Sequence, residues 1–255
     1  MATALLLAWP AICPAQTPEE KGRTIAEEAD RRYSGYGDFT ARLHMVLRNR
    51  QGQTSERDLR VRTLEVEDGV RSLCIFDSPA DVRQTILLTH THKTQPDDQW
   101  LYLPALKRVR RIAAQNKTGS FVGSEFSYED IATHVLEKYT YRWLRDESWE
   151  GQDCYVLERR PIDLRDSGYT KQIAWLDKDQ YRTLKVDYYD RKDSLLKTLT
   201  FKDYRKHLDR FWRPGDMNMV NHQTGKSSQL LWSDFAFRTG LAENDFNQAS
   251  LTTIR

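Results

Sequence analysis

Apolar and mostly polar residues alternate from Ala41 to Arg48, the two-residue period of a half-buried strand. Asn49-Arg50-Gln51-Gly52 then reads as a turn, and a second extended run covers Ser55 to Val66. The rhythm repeats. Asp68-Gly69 joins that run to Val70 through Phe76, and Glu150-Gly151-Gln152 joins 141–149 to 154–158. Asp177-Lys178-Asp179 joins 173–176 to 182–189, while Asp190 to Asp193 and Gln223-Thr224-Gly225 lead into 195–204 and 228–235. Roughly ten strands joined by tight turns predict an antiparallel meander that curls into a barrel or half-barrel. No helical stretches alternate with them, which disfavours a doubly wound α/β fold. Ahead of the strands, Thr17 reads as a helix cap, Pro18 as the first helical residue, and Ile25, Ala26, Ala29 and Tyr33 as one face of a helix stopped by Ser34-Gly35-Tyr36-Gly37.

The first fifteen residues change the picture. Met1 to Ala15 carries no charge and contains Leu5-Leu6-Leu7-Ala8-Trp9, a signal-peptide core too short to span a bilayer. Cys13 and Ala15 supply the small residues of a cleavage site after Ala15, which leaves 16–255 as one exported domain in the periplasm. The leader lacks the usual basic start. Ile12 is too large for a lipid-modified Cys13. In the mature chain Cys74 and Cys154 lie in apolar runs, and both a disulfide and two buried thiols fit that setting. With 39 Lys+Arg against 37 Asp+Glu scattered along the chain, nucleic acid is not an expected partner.

No arrangement of residues fixes a catalytic geometry. There is no Gly-x-Ser-x-Gly elbow and no phosphate loop. His90 and His92 share a strand face near Asp97 and Asp98, but strand-end His-x-His pairs are common, and no metal or other cofactor is expected. Glu27-Glu28 and Glu129-Asp130 read as solvated pairs rather than a glycosidase couple. The chain is therefore not expected to be an enzyme. Its aromatic residues lie on nearly every strand: Trp143, Trp175, Tyr188, Phe201, Trp212 and Trp232 either fill the inner face of the sheet or line a cavity there, and periodicity does not separate the two. Residues 104–133 break the strand rhythm as an irregular insertion, basic at Lys107, Arg108, Arg110 and Arg111 and aromatic at Phe121 and Phe126.

The block from Trp100 to Ile112, the block from Lys117-Thr118-Gly119-Ser120-Phe121 through Glu129-Asp130, and Phe76-Asp77-Ser78-Pro79-Ala80-Asp81-Val82-Arg83 upstream resemble the LolA-like family of outer-membrane lipoprotein-sorting proteins. The resemblance covers almost the whole mature chain. It implies a strongly curved, incompletely closed antiparallel sheet, with helix 17–33 and the segment 112–133 over the concave face as lid elements. It also implies an apolar cavity for the acyl chains of a lipoprotein or lipid, carried by a monomer between an inner-membrane transporter and an outer-membrane acceptor. Together with strand alternation, it marks Trp100, Tyr102, Phe121, Phe126, Trp143, Trp175, Tyr188, Phe201, Trp212 and Trp232 as cavity candidates. Lys107, Arg108, Arg110 and Arg111 are the candidate partner or membrane surface. The competing expectation is a periplasmic adaptor of an efflux-type lipid transporter that carries nothing.

Overall fold

A computed structural model describes residues 16–254, so the expected leader and cleavage site lie outside the described residues. Helix α1 spans Pro18–Tyr33. Its start is a capping box in which the Glu20 amide donates to the Thr17 hydroxyl at 3.2 Å and the Thr17 amide to the Glu20 carboxylate at 2.8 Å. Six strands follow: β1 (Asp38–Arg48), β2 (Thr54–Val66), β3 (Gly69–Ser78), β4 (Ile86–His92), β5 (Asp98–Leu103) and β6 (Arg108–Ile112). A connection, 113–138, carries the short helix α2 (Tyr128–Ile131) to β7 (Tyr139–Trp149). The chain returns through β8 (Gln152–Pro161), β9 (Lys171–Asp177), β10 (Thr183–Tyr189) and β11 (Leu195–Lys202). The ribbon β12 (Arg205–His207) and β13 (Phe211–Arg213) precedes β14 (Asp216–Asn221) and β15 (Ser227–Phe237). None of the described helices is long and apolar enough to cross a membrane.

Thirteen strands form one antiparallel sheet in the order β6-β5-β4-β3-β2-β1-β15-β14-β11-β10-β9-β8-β7. More strands form than the turn signals predict. Within β4 both faces are buried, so Ile86-Leu87-Leu88 shows no alternation, and the basic run expected to be irregular from Pro104 onward is instead the edge strand β6. Likewise the run expected to extend to Tyr204 ends at Lys202. Register shifts in β1, β2, β7 and β10 add local twist, and a sheet this wide curls. It stays open, because its edge strands β6 and β7 do not pair.

The concave face buries Leu43, Leu59, Cys74, Leu101, Leu157, Leu199 and Leu230 under Ile25 and Ala26 of α1. Gly22 is what lets the helix come so close: a Cβ there would lie 2.5 Å from the Trp143 backbone nitrogen. On the convex face Phe246 and Leu251 of the C-terminal segment cover Leu73, Ile75, Ile86 and Leu88. Cys154 belongs to a second convex cluster with Val156 and Trp175, whereas Cys74 faces the concave side, and both thiols are free.

Candidate ligand cavity

A cavity of 390 Å³ lies between α1, the concave face and the 113–138 connection. Small residues on the helix leave the space, since Ala26 and Ala29 face it where a larger side chain would fill it. From the sheet come Leu43, Val61, Leu157, Val186, Leu199 and Leu230. The volume falls within the roughly 300–1,000 Å³ of small-molecule sites, and the wall is mostly apolar.

Phe121, Phe126, Tyr188, Phe201, Trp212 and Trp232 stand on this wall. The other aromatic candidates do not. Trp100 and Tyr102 point to the convex side and pack with the cluster around Phe246, because Leu101 and Leu103 hold the inward positions of β5. Trp175 is likewise convex, tilted against Trp149 at 6.2 Å, while its neighbours Ala174 and Leu176 face the cavity. Trp143 has the inward parity but is roofed by the first turns of α1, with the Lys21 ammonium 3.5 Å from its ring centroid and its Nε1 donating to Asp146 at 2.8 Å.

The 113–138 connection is pinned by both packing and charge. Phe121 and Phe126 are almost fully buried, and their burial stabilises the docked loop by roughly 3–6 kcal/mol together. Asp130 pairs with the buried Lys197 ammonium and accepts from the Tyr169 hydroxyl at 2.8 Å. Glu129 accepts from the Ser167 hydroxyl at 2.5 Å and the Gly168 amide at 2.8 Å, yet burial outweighs these bonds and lifts its pKa to about 7. The two carboxylates are thus structural members of the loop, not a solvated pair. Lys117 anchors the other limb on Asp166 at 2.7 Å.

Sequence reasoning missed the charged part of the wall. Arg159, Arg182 and Arg213 border the cavity, and Lys197 lies just behind it. Alternation carried a signal for two of them: Arg159 follows the inward Leu157, and Lys197 precedes the inward Leu199 and Phe201. His90 spends a ring nitrogen on the Phe246 carbonyl at 2.8 Å and His92 on Asp68, and among the described residues no group of three metal-ligating side chains converges. Lys107, Arg108, Arg110 and Arg111 are exposed along the edge strand, where Arg111 pairs with Asp98.

An open half-barrel with a helix and a crossing loop over an apolar cavity defines the LolA-like class. The chain is similar to a domain from Vibrio parahaemolyticus provisionally named an outer membrane lipoprotein-sorting protein domain, with 54% identity, a TM-score of 0.89 and coverage of 92% of this chain and 99% of that one. A DUF1329 family protein from Desulfovibrio piger is 33% identical, with a TM-score of 0.86 over 92% of this chain and 99% of the other. A LolA superfamily protein from Nitrosomonas europaea shares the fold at 23% identity and a TM-score of 0.73, over 89% and 98% of the two chains. A family profile described as an uncharacterized protein matches residues 68–253. A search of curated proteins returns no match. The chain belongs to the LolA-like outer membrane lipoprotein-sorting protein family.

Proposed function

We propose that the protein is a periplasmic carrier that holds the acyl chains of lipoproteins or lipids in this cavity and moves them between the inner and outer membranes without covalent chemistry. The 390 Å³ apolar space under α1 is the observation that carries the reading. Each methylene withdrawn from water contributes about 0.8 kcal/mol, so an apolar cavity of this kind offsets the exposure of a chain in transit. The uncharged leader sequence supports export, and the name of the Vibrio relative supports a lipoprotein or lipid cargo.

The test is native mass spectrometry of the mature protein purified from a periplasm without detergent, beside an Ala29→Trp variant that fills the cavity from the helix. Stoichiometric lipid or acylated peptide in the wild type and its loss in the variant are the expected result. A clean apo mass that also fails to take up a fluorescent fatty acid sinks the reading. A second reading, an adaptor that docks on a membrane transporter, draws on Lys107, Arg108 and Arg110, which have no carboxylate partner among the described residues. An arginine-bearing edge also discourages strand-to-strand association, so their exposure has a structural use as well.

A further inference from the structure

Four arginines and two aspartates line the cavity, and half of these charges are neutralised locally. Arg32 pairs with Glu28 at 2.6 Å, Arg182 with Asp177 at 2.9 Å, and Asp130 with Lys197. Arg159 also has no carboxylate partner among the described residues, but it is only half-buried and its Nε donates to Gln172 at 2.6 Å, which leaves Arg213 as the buried cation of the wall. Its side chain is buried, at 3% exposure, yet no carboxylate lies within ion-pair distance of it among the described residues. Nη1 donates to the Trp212 carbonyl at 3.0 Å and Nη2 to the Tyr33 carbonyl at 3.1 Å, while Nε is buried without a hydrogen-bond partner. The rings of Tyr33 and Tyr36, at 4.0 and 4.9 Å from the guanidinium carbon, and the C-terminal end of α1 offset part of the cost. A buried guanidinium with a free Nε–H remains an unusual expense for a protein with no use for it.

The size of the space bears on what could meet that charge. A cavity of about 150 Å³ accommodates one benzene ring, so 390 Å³ corresponds to roughly fifteen carbon atoms, one acyl chain and not three. We infer that the cavity takes a single acyl chain ended by an anionic head, a carboxylate or a phosphate, and that the Arg213 guanidinium receives the head through its Nε edge. The chemistry of the group suits this role, because a guanidinium's Nε–H and the N–H beside it form the planar fork that binds such oxygens in pairs. The inference rests on the carrier reading and narrows its cargo.

Equilibrium binding to the delipidated mature chain separates the two claims. The ligands are dodecanoic acid and its methyl ester, with lysophosphatidic acid and the monoacylglycerol of the same chain length to distinguish carboxylate from phosphate. At least one anionic ligand is expected to bind about tenfold or more tighter than its neutral counterpart, and Arg213→Gln to erase that preference while the neutral ligand still binds. Equal affinity for charged and neutral chains overturns the head-group assignment and leaves the carrier standing, as does a preference that survives in Arg213→Gln. Binding of none of the four overturns both. Should the glutamine variant not fold, the Arg213 Nε–Hε resonance of the wild type decides: it shifts with the anionic ligand and not with the neutral one, and an unmoved resonance rejects the assignment.

Discussion

Glu129 gives the loop that crosses the cavity a dependence on pH whose sign follows from its surroundings. Burial is the largest influence on this carboxyl, raising its pKa from 4.5 to about 7 against the bonds from Gly168 and Ser167 that favour the ionised form. In the folded protein Glu129 therefore keeps its proton over an interval in which the unfolded chain has lost it. Its contribution is fully present below pH 4.5 and is lost as pH rises through about 7. At about 1.4 kcal/mol per pH unit, the folded state loses roughly 3 kcal/mol across that interval. Glu129→Gln imitates the protonated side chain: its carbonyl can accept from Gly168 and its amide can donate to the Ser167 hydroxyl. Urea unfolding of both proteins across the interval isolates the effect, because all other titrating groups cancel in the difference. The wild type should lose about 3 kcal/mol relative to the variant as pH rises. Parallel stability curves for the two proteins would refute the reasoning.

Four further outcomes are expected. Gly22→Ala drives a methyl group against the Arg142 and Trp143 backbone at 2.5–2.7 Å, and should cost about 1–3 kcal/mol in unfolding free energy, with hydrogen exchange increased along α1. Lys197→Met strands the Asp130 carboxylate in the interior and should cost about 3–5 kcal/mol, most of which returns in the Lys197→Met, Asp130→Leu double variant when stability is measured for all members of the cycle. Burial pushes the Cys74 thiol up to about 12, so alkylation of the native chain from residue 16 onward should leave it unmodified, and unfolding without reductant should expose two reactive thiols; a disulfide-linked peptide contradicts their separate faces. Arg110→Glu with Arg111→Glu should leave acyl-chain binding unchanged within experimental error, and a loss of binding would tie the edge strand to the cavity.

Those parts of the fold governed by local chemistry were legible in the sequence. The Thr17 helix cap and the Asp68-Gly69 turn each act within a few residues, and the structure places helix and hairpin there. Gly69 adopts a φ of +138°, and a Cβ on it would sit 2.1 Å from the Thr91 carbonyl, so the turn residue is constrained by the neighbouring strand as well. Alternation failed where both faces of a strand are covered. In β5 and β9 each face carries large apolar side chains, and the size of Trp100 and Trp175 pointed inward although the segment around Phe246 and the Trp149 cluster claim them for the convex side. For charge the parity was right and went unused. Arg159 and Lys197 carry the inward parity of their strands, but their inward positions depend on Gln172 and Asp130, partners contributed by other segments that strand alternation does not show.

The sheet order accounts for why a cavity forms here at all. Every strand of the large sheet pairs with its nearest sheet-forming neighbours in sequence except at two places, where β15 closes onto β1 and where β6 and β7, consecutive along the chain, become the opposite edges. Because those edges do not meet, the segment between them must run from one side of the curved sheet to the other, and the apolar concave face it crosses gives Phe121 and Phe126 somewhere to bury. Closing the sheet would have let inward side chains fill the interior, as in a small barrel. With the gap kept open, the width of the interior is set by what spans it, namely the loop on one side and α1 on the other. The helix is held to β7 through Gly22, and farther along it presents Ala26 and Ala29 to the interior. The helix is therefore close enough to seal the space and too slight to fill it, and the 390 Å³ that remain follow from that pairing of a glycine contact with two alanines.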